Sequence, residues 1–339
     1  MDNPPQSAGI CARCQTPATK RCSGCRGAPE YDMVAPEPTF YCSSACQTQH
    51  WGEHRVRCKR LQARKSLLRA VSLLQAILYR IRLHAYIFQF ATAHMDGSKV
   101  TLNDIQNDKS KAYQPLKAVW MNIKSGDYQR VFYAIIMMNA CAEAVKEPPR
   151  PCSITQSSAG CIDLCSRIEE LTVSVHNTRL SIERSDGFPL IETGSHIIYR
   201  VVLKSGEIWA MDPSGAQYGF SECLYTWSDF EKYRLGKVHF ENSLGYHRGK
   251  MSRFNGYGLD VLDMELLDLT LALEEKIPAL ANVYGGKLKL ILQGSDATFQ
   301  KAKNELLGQL SICVNRCLDE IYAPERVAKR SRMARKTDA

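Results

Sequence analysis

The chain has 339 residues, 45% hydrophobic and 23% charged, with fourteen cysteines and a formal net charge of +9. That length buries a sizeable core and ordinarily divides into about two domains, and the composition excludes wholesale disorder, collagen-like repeats and a heavily charged tail protein. Residues 1–7 are polar and hold no apolar run, so no secretory signal is expected. The most apolar long stretch, residues 70–90, is interrupted by Arg80, Arg82 and His84 and fails as a membrane span. Many cysteines without an export signal point to a reducing, intracellular compartment in which thiols serve metals or cores.

Seven cysteines fall in the first 58 residues, as Cys11-x2-Cys14, Cys22-x2-Cys25, Cys42-x3-Cys46 and, after His54-x3, Cys58. These four half-sites supply eight ligands, the number that two tetrahedral zinc ions need; two cysteines separated by a tight turn can both reach about 2.3 Å from one metal. Gly24 and Gly27 give the second turn a permissive backbone. Residues 43–58 lack glycine until Gly52 and read as helix, with Cys46, His50, His54 and Cys58 on one face. Core thiols or a disulfide framework are the bland alternative, which eight regularly paired ligands argue against. Seven thiolates and two zinc ions move the working charge from +9 to about +6, and each structural zinc contributes about 10–16 kcal/mol of apparent binding free energy. A segment with so few aliphatic residues has little other core. Spacing alone admits a sequential or an interleaved assignment of ligands, and it admits His50 as a ligand.

The run Tyr41-Cys42-Ser43-Ser44-Ala45-Cys46-Gln47, followed by Trp51-x2-His54-x3-Cys58, closely resembles the MYND-type zinc finger, and the two upstream pairs match its opening. The resemblance implies interleaved binding: Cys11, Cys14, Cys42 and Cys46 on one ion, and Cys22, Cys25, His54 and Cys58 on the other, with His50 left out. It also implies a protein-docking role, often toward proline-containing peptides, through Gln47 and Trp51. An exposed indole is a good platform for a proline ring, whereas the structural alternative packs Trp51 over the zinc shell. The interval between Cys25 and Cys42 is long for this finger and carries Pro29, Pro36 and Pro38, so it reads as an extended surface loop.

From Leu61 to Phe88 apolar residues recur at helical spacing without glycine or proline, and flanking Leu67, Leu73 and Ile77 indicate broad burial. A second helix is expected over 129–146, with a mixed polar connection over 98–126. His84 and His94 read as satisfied or exposed helix histidines rather than ligands. Glu147-Pro148-Pro149-Arg150-Pro151 is the clearest linker. Beyond it, residues 172–182 and 196–203 are rich in β-branched residues, and Lys204-Ser205-Gly206-Glu207 turns into Ile208-Trp209-Ala210-Met211, a hairpin signal. The last helical pattern runs from Phe299 to Ile321, with Cys313 and Cys317 on its apolar face as core thiols.

Residues 196–219, ending in a Trp209-Ala210-Met211-Asp212 and a Gly215-Ala216-Gln217-Tyr218-Gly219 element, look like a segment that recurs in fungal MYND-finger proteins. A histidine opening one strand and an aspartate closing the next is also how transglutaminase-like and papain-like folds place two triad members. Cys161, or equally Cys165, would then be the nucleophile, His196 the proton shuttle and Asp212 its orienter. Against this, His196 facing solvent and Asp212 opening a turn with Pro213 is the structural alternative. SET-type methyltransferases, which also carry this finger, have an Asn-His-Ser-Cys-type element that is absent here, and no glycine-rich phosphate loop is present. Residues 324–339 hold +4 of the net +9, centred on Lys329-Arg330-Ser331-Arg332-Met333-Ala334-Arg335-Lys336. This reads as a nuclear import signal or a nonspecific nucleic-acid contact, or else as a frayed solvated end.

The expected molecule is therefore α+β: a small zinc finger over 1–59, a helical region over 60–147, an α+β domain over 148–323 with a hairpin near 196–211, and a basic tail over 324–339. The expected function is a two-zinc protein-interaction adaptor with a regulatory role, transcriptional or chromatin-linked, in nucleus or cytoplasm with the nucleus favoured. Its partners are proteins, with no membrane and with nucleic acid only through the tail. The alternative is the thiol enzyme or a decayed relative of one.

Overall fold

The computed structural model describes residues 9–105, 113–116, 120–140, 164–247, 264–265, 268–273, 275–276 and 292–337. Its spine follows from one property of the sequence: between Trp51 and His84 there is no proline and a single glycine, Gly52. The whole stretch forms one helix, α2, after a short helix α1 (Ser44–Gln49). At 34 residues, α2 extends for about 51 Å. It starts ten residues earlier than its apolar period suggests and ends at His84, where Ala85 leaves helical geometry and Tyr86 bridges Gln114.

One side of α2 packs on a long helix near the carboxyl terminus (α5, Asp296–Ile321). Leu73, Ile77 and Ile81 meet Leu306, Leu310, Val314, Cys317 and Ile321 there, with Cys313 in the same core. The apolar period found both helices. It did not indicate that α2 also buries four cations. Arg64 is held by Glu207, Lys65 by the Arg26 carbonyl, Arg69 by the Leu292 and Gly294 carbonyls and Asp296, and Arg82 by the Ile136 and Met138 carbonyls. Buried charge is tolerated only with such partners.

The reading of residues 60–147 as helical omits three strands: β5 (Thr92–Asp96), β6 (Lys99–Asn103) and β7 (Trp120–Asn122). Gly97, at φ +59, turns β5 into β6. They join β9 (Ser181–Arg184) in a four-stranded sheet ordered β7-β5-β6-β9, so His94 lies on a strand and not a helix. Helix α3 (Ser125–Ile136) covers this sheet through Val131, Ala134 and Ile135. It ends earlier than expected because Asn139 takes a left-handed φ of 60°, and residues 141–146 lie outside the described residues. The proline linker at 147–151 lies outside them as well.

The expected hairpin is present. Strands β10 (His196–Leu203) and β11 (Ile208–Met211) pair antiparallel around a turn containing Gly206. They sit in a five-stranded sheet ordered β12-β11-β10-β8-β13, with β8 at Cys165–Val175, β12 at Leu224–Thr226 and β13 at Leu235–Ser243. One face packs on Ala63 and Leu67 of α2 through Val201, Leu203 and Trp209; the other packs on Tyr218, on Phe220 and on Phe230 of a short helix, α4 (Trp227–Tyr233). The architecture is α+β, with the zinc-ligand segment at the amino end of its longest helix. The basic run is helical too (α6, Pro324–Thr337), which corrects the frayed-end alternative. Arg330 is buried in it, donating to Asp268 and to the Ile321 carbonyl.

Candidate metal centre

Two short antiparallel strand pairs, Gly9–Ile10 with Pro17–Ala18 and Lys20–Arg21 with Phe40–Tyr41, bring the four half-sites together. In the first turn the Cys11 N–H donates to the Thr16 carbonyl and Gln15 N–H returns to the Cys11 carbonyl. In the second, the N–H groups of Cys25 and Arg26 both reach the Cys22 carbonyl. Gly9 lets this sheet close, because a Cβ there would lie 2.3 Å from the Phe40 ring. The third half-site straddles a helix start: Ser43 Oγ accepts from the Cys46 N–H at 3.2 Å, so the cap that begins α1 also fixes Cys42 against Cys46. The fourth lies in the first two turns of α2, where His54 and Cys58 are one turn apart and are buried.

The ligand atoms gather into two groups, Cys11/Cys14/Cys42/Cys46 and Cys22/Cys25/His54/Cys58, with all ligand atoms of a group within 4.8 Å of one another. In the first, Cys14–Cys42, Cys42–Cys46 and Cys46–Cys14 sulfur separations are 3.4, 3.5 and 3.7 Å. In the second, Cys22–Cys58 is 3.7 Å and Cys25 Sγ to His54 Nε2 is 3.2 Å. A zinc ion about 2.3 Å from each sulfur requires tetrahedron edges of about 3.8 Å, so both groups fit the ion. Thiols this close cannot all ionise unaided: the hydrogen bond from Cys25 draws Cys22 down to about 4, and the same contact pushes Cys25 far up. A divalent ion removes that conflict by stabilising every thiolate at once. The sites are closed, four protein ligands each, which is the structural and not the catalytic form of zinc.

The groups are interleaved, first half-site with third and second with fourth, which resolves what spacing left open. His50 is outside both: its Nδ1 meets Tyr41 Oη at 3.0 Å and its Nε2 faces Glu53 at 3.5 Å. Around the second group, the amides of Gln47 and Gln62 point at the sulfurs of Cys22 and Cys58 at 3.7 and 3.5 Å, hydrogen bonds that spread thiolate charge. Trp51, the first residue of α2, is 41% exposed while its ring meets His54 edge-on with 6.2 Å between ring centroids.

The interval between Cys25 and Cys42 is the expected surface loop, mostly exposed and largely without regular structure, with an attachment to the body. Met33 and Val34 are exposed at its tip, but Tyr31 is docked on the body: its hydroxyl accepts from the Ile208 N–H at 3.1 Å, and its ring lies 5.2 Å from Trp209. Arg64 completes the clamp, paired with both Glu207 oxygens at 2.7 and 3.0 Å and donating to the Pro29 carbonyl at 3.3 Å. No local sequence signal marks this contact; its partners are more than 140 residues apart.

His196 and Asp212 do meet, as the triad reading requires, with Nε2 2.9 Å from Oδ1. Both are buried, so the alternative of a solvent-facing histidine is also wrong. Gln217 approaches the other ring nitrogen at 3.3 Å while its Oε1 accepts from the Asn139 N–H at 3.1 Å. The amide therefore donates to Nδ1, which leaves the proton on Nε2 to donate to Asp212. The proposed nucleophile does not follow. Cys165 is paired with Leu203, at the far end of β10 from His196, about 24 Å away at strand spacing. Cys161 lies outside the described residues. Cys223, whose carbonyl accepts from the Asp212 N–H, holds a thiol pushed up to about 11 by burial, a poor nucleophile at neutral pH.

No helix among the described residues is long and apolar enough to cross a membrane. A comparison with curated proteins and one with solved structures found no match. Residues 11–58 match the family model of the MYND finger, and that span begins and ends on zinc ligands of the two groups described above. The amino-terminal segment of this chain is a MYND-type zinc finger that fits two zinc ions.

Proposed function

We propose that this protein is an adaptor that docks other proteins through its finger, with Gln47 and Trp51 as the peptide-contacting residues and proline-containing segments as the ligand. MYND fingers mediate protein–protein interaction, and the two closed zinc sites offer structure and not an open coordination position. The observation that carries the reading is Trp51: a large indole, 41% exposed, held in place by its contact with the zinc-ligand group of His54. Exposure of an aromatic residue on a rigid base is what a proline-binding platform needs. A regulatory role, transcriptional or chromatin-linked, and nuclear placement through the basic run belong to the same proposal. In that run Lys329 and Arg332 are exposed, while Arg330 is engaged by Asp268. Within residues 196–219, which resemble a segment of fungal MYND-finger proteins, Asp212, Gln217 and Tyr218 enclose His196. The thiol-enzyme alternative retains a His–Asp pair with no described thiol placed to use it.

The test is titration of zinc-loaded full-length protein with a proline-rich peptide library, read by Trp fluorescence and calorimetry. A bound peptide whose affinity falls at least about tenfold in Trp51→Ala, with zinc content unchanged, supports the proposal. Absence of any peptide binding, or binding indifferent to Trp51→Ala, contradicts it.

A further inference from the structure

Between α2, α3, the turn at Gly215–Tyr218 and α5 lies a cavity of about 620 Å³, within the range of pockets that hold small molecules. Its chemistry is one-sided. Among the described residues no carboxylate lines it, while Lys303, Arg130 and the amide of Gln75 do. Gln75 Nε2 is buried and has no hydrogen-bond partner among the described residues, which is a destabilising arrangement that a ligand acceptor would relieve. Lys303 Nζ has only the Ser72 carbonyl, at 3.4 Å, and no carboxylate within ion-pair distance among the described residues. Burial accordingly holds its ammonium below the usual lysine range. Arg130 is partly offset by Asp127 at 2.6 Å on the same helix. The apolar side is aromatic: Tyr79 and Tyr133, stacked on each other at 4.4 Å between centroids, line the space together with Phe220.

We propose that this cavity binds a small organic anion, a carboxylate or phosphate carried on a flat aromatic body. The anionic group sits between Lys303 and the Gln75 amide, and the ring lies against the Tyr79, Tyr133 and Phe220 wall. The site is separate from the finger, so it stands or falls independently of peptide docking.

The experiment is calorimetry and ligand-observed NMR on zinc-loaded full-length protein, with phenyl phosphate and benzoate as probes and benzyl alcohol as the neutral control. Phenyl phosphate or benzoate binds in the millimolar range or tighter, and benzyl alcohol at least about tenfold more weakly. Lys303→Met lowers the anion affinity at least about tenfold, while Lys303→Arg stays within about threefold of the original chain. Gln75→Leu weakens binding yet raises the melting temperature of the ligand-free protein, because it removes an unsatisfied buried donor; that combination separates a ligand-holding role from a packing role. No binding of either anion, equal binding of benzyl alcohol, or indifference to both Lys303→Met and Gln75→Leu overturns the proposal.

Discussion

Gly24 stands where the second zinc turn passes under α2, and a Cβ there would lie 3.0 Å from Cys58 Sγ and 2.4 Å from Gln62 Nε2. The Gln62 amide can swing away; the Cys58 sulfur cannot, because the metal fixes it. Gly24→Ala is therefore expected to lower affinity at the second site by on the order of tenfold, the scale of perturbing a ligand's immediate support, and to leave the first site unchanged. Competition with a metal chelator measures both, and an unchanged second site would show that the close approach carries no weight. At this scale the sequence was highly legible. Ligand spacing in turns and along helical faces is local geometry, and all eight residues named from it come together. What spacing did not contain was the choice between interleaved and sequential pairing, or the fate of His50, since both depend on which loops pass near each other. The buried cations of α2 were invisible for the same reason: Arg64 and Arg82 look like solvent-facing residues until the partner carbonyls and Glu207 arrive from distant segments.

Helix α2 is the element on which the molecule turns. Its first turns are zinc ligands, its middle is clamped to the hairpin and its end is packed on α5. The Arg64–Glu207 pair is the polar centre of the clamp, with both side chains about 9% exposed and Arg60 reaching the same carboxylate at 3.7 Å. Removing one partner of such a pair strands a buried charge, so Arg64→Met is expected to destabilise the protein by about 3 kcal/mol in urea unfolding. Arg64→Met with Glu207→Leu is expected to recover much of that loss, since neither charge is then left alone. A single-variant loss below about 1 kcal/mol would mean the pair is solvated and the clamp is elsewhere. Element types were readable where the period was strong, as for α2, α5 and the β10–β11 hairpin. Strands β5 to β7 were missed because they are short, and in β5 and β6 a pattern of one or two buried residues carries little periodic signal. The loop itself was legible, but the docking of Tyr31 was not: proline content signals irregular, exposed backbone but not whether one residue of it has a tertiary partner.

Across the whole molecule, the finger is a continuation of the body and not a bead on a string. A rigid helix leaves the second zinc site and runs into the core, and the loop between its half-sites rests on Trp209. The helix that begins at Trp51 also lines the cavity through Gln75 and Tyr79. All of this requires that two ions tie the chain in crossed fashion, because sequential pairing would leave Cys42 and Cys46 beside α2 and free the opening strands. Zinc counting by native mass spectrometry on paired variants of the full-length protein tests it most directly. With crossed ligand sets, Cys11→Ser with Cys46→Ser retains one zinc per chain, and Cys11→Ser with Cys25→Ser retains none. The reverse outcome, one zinc in the second pair and none in the first, would contradict the account.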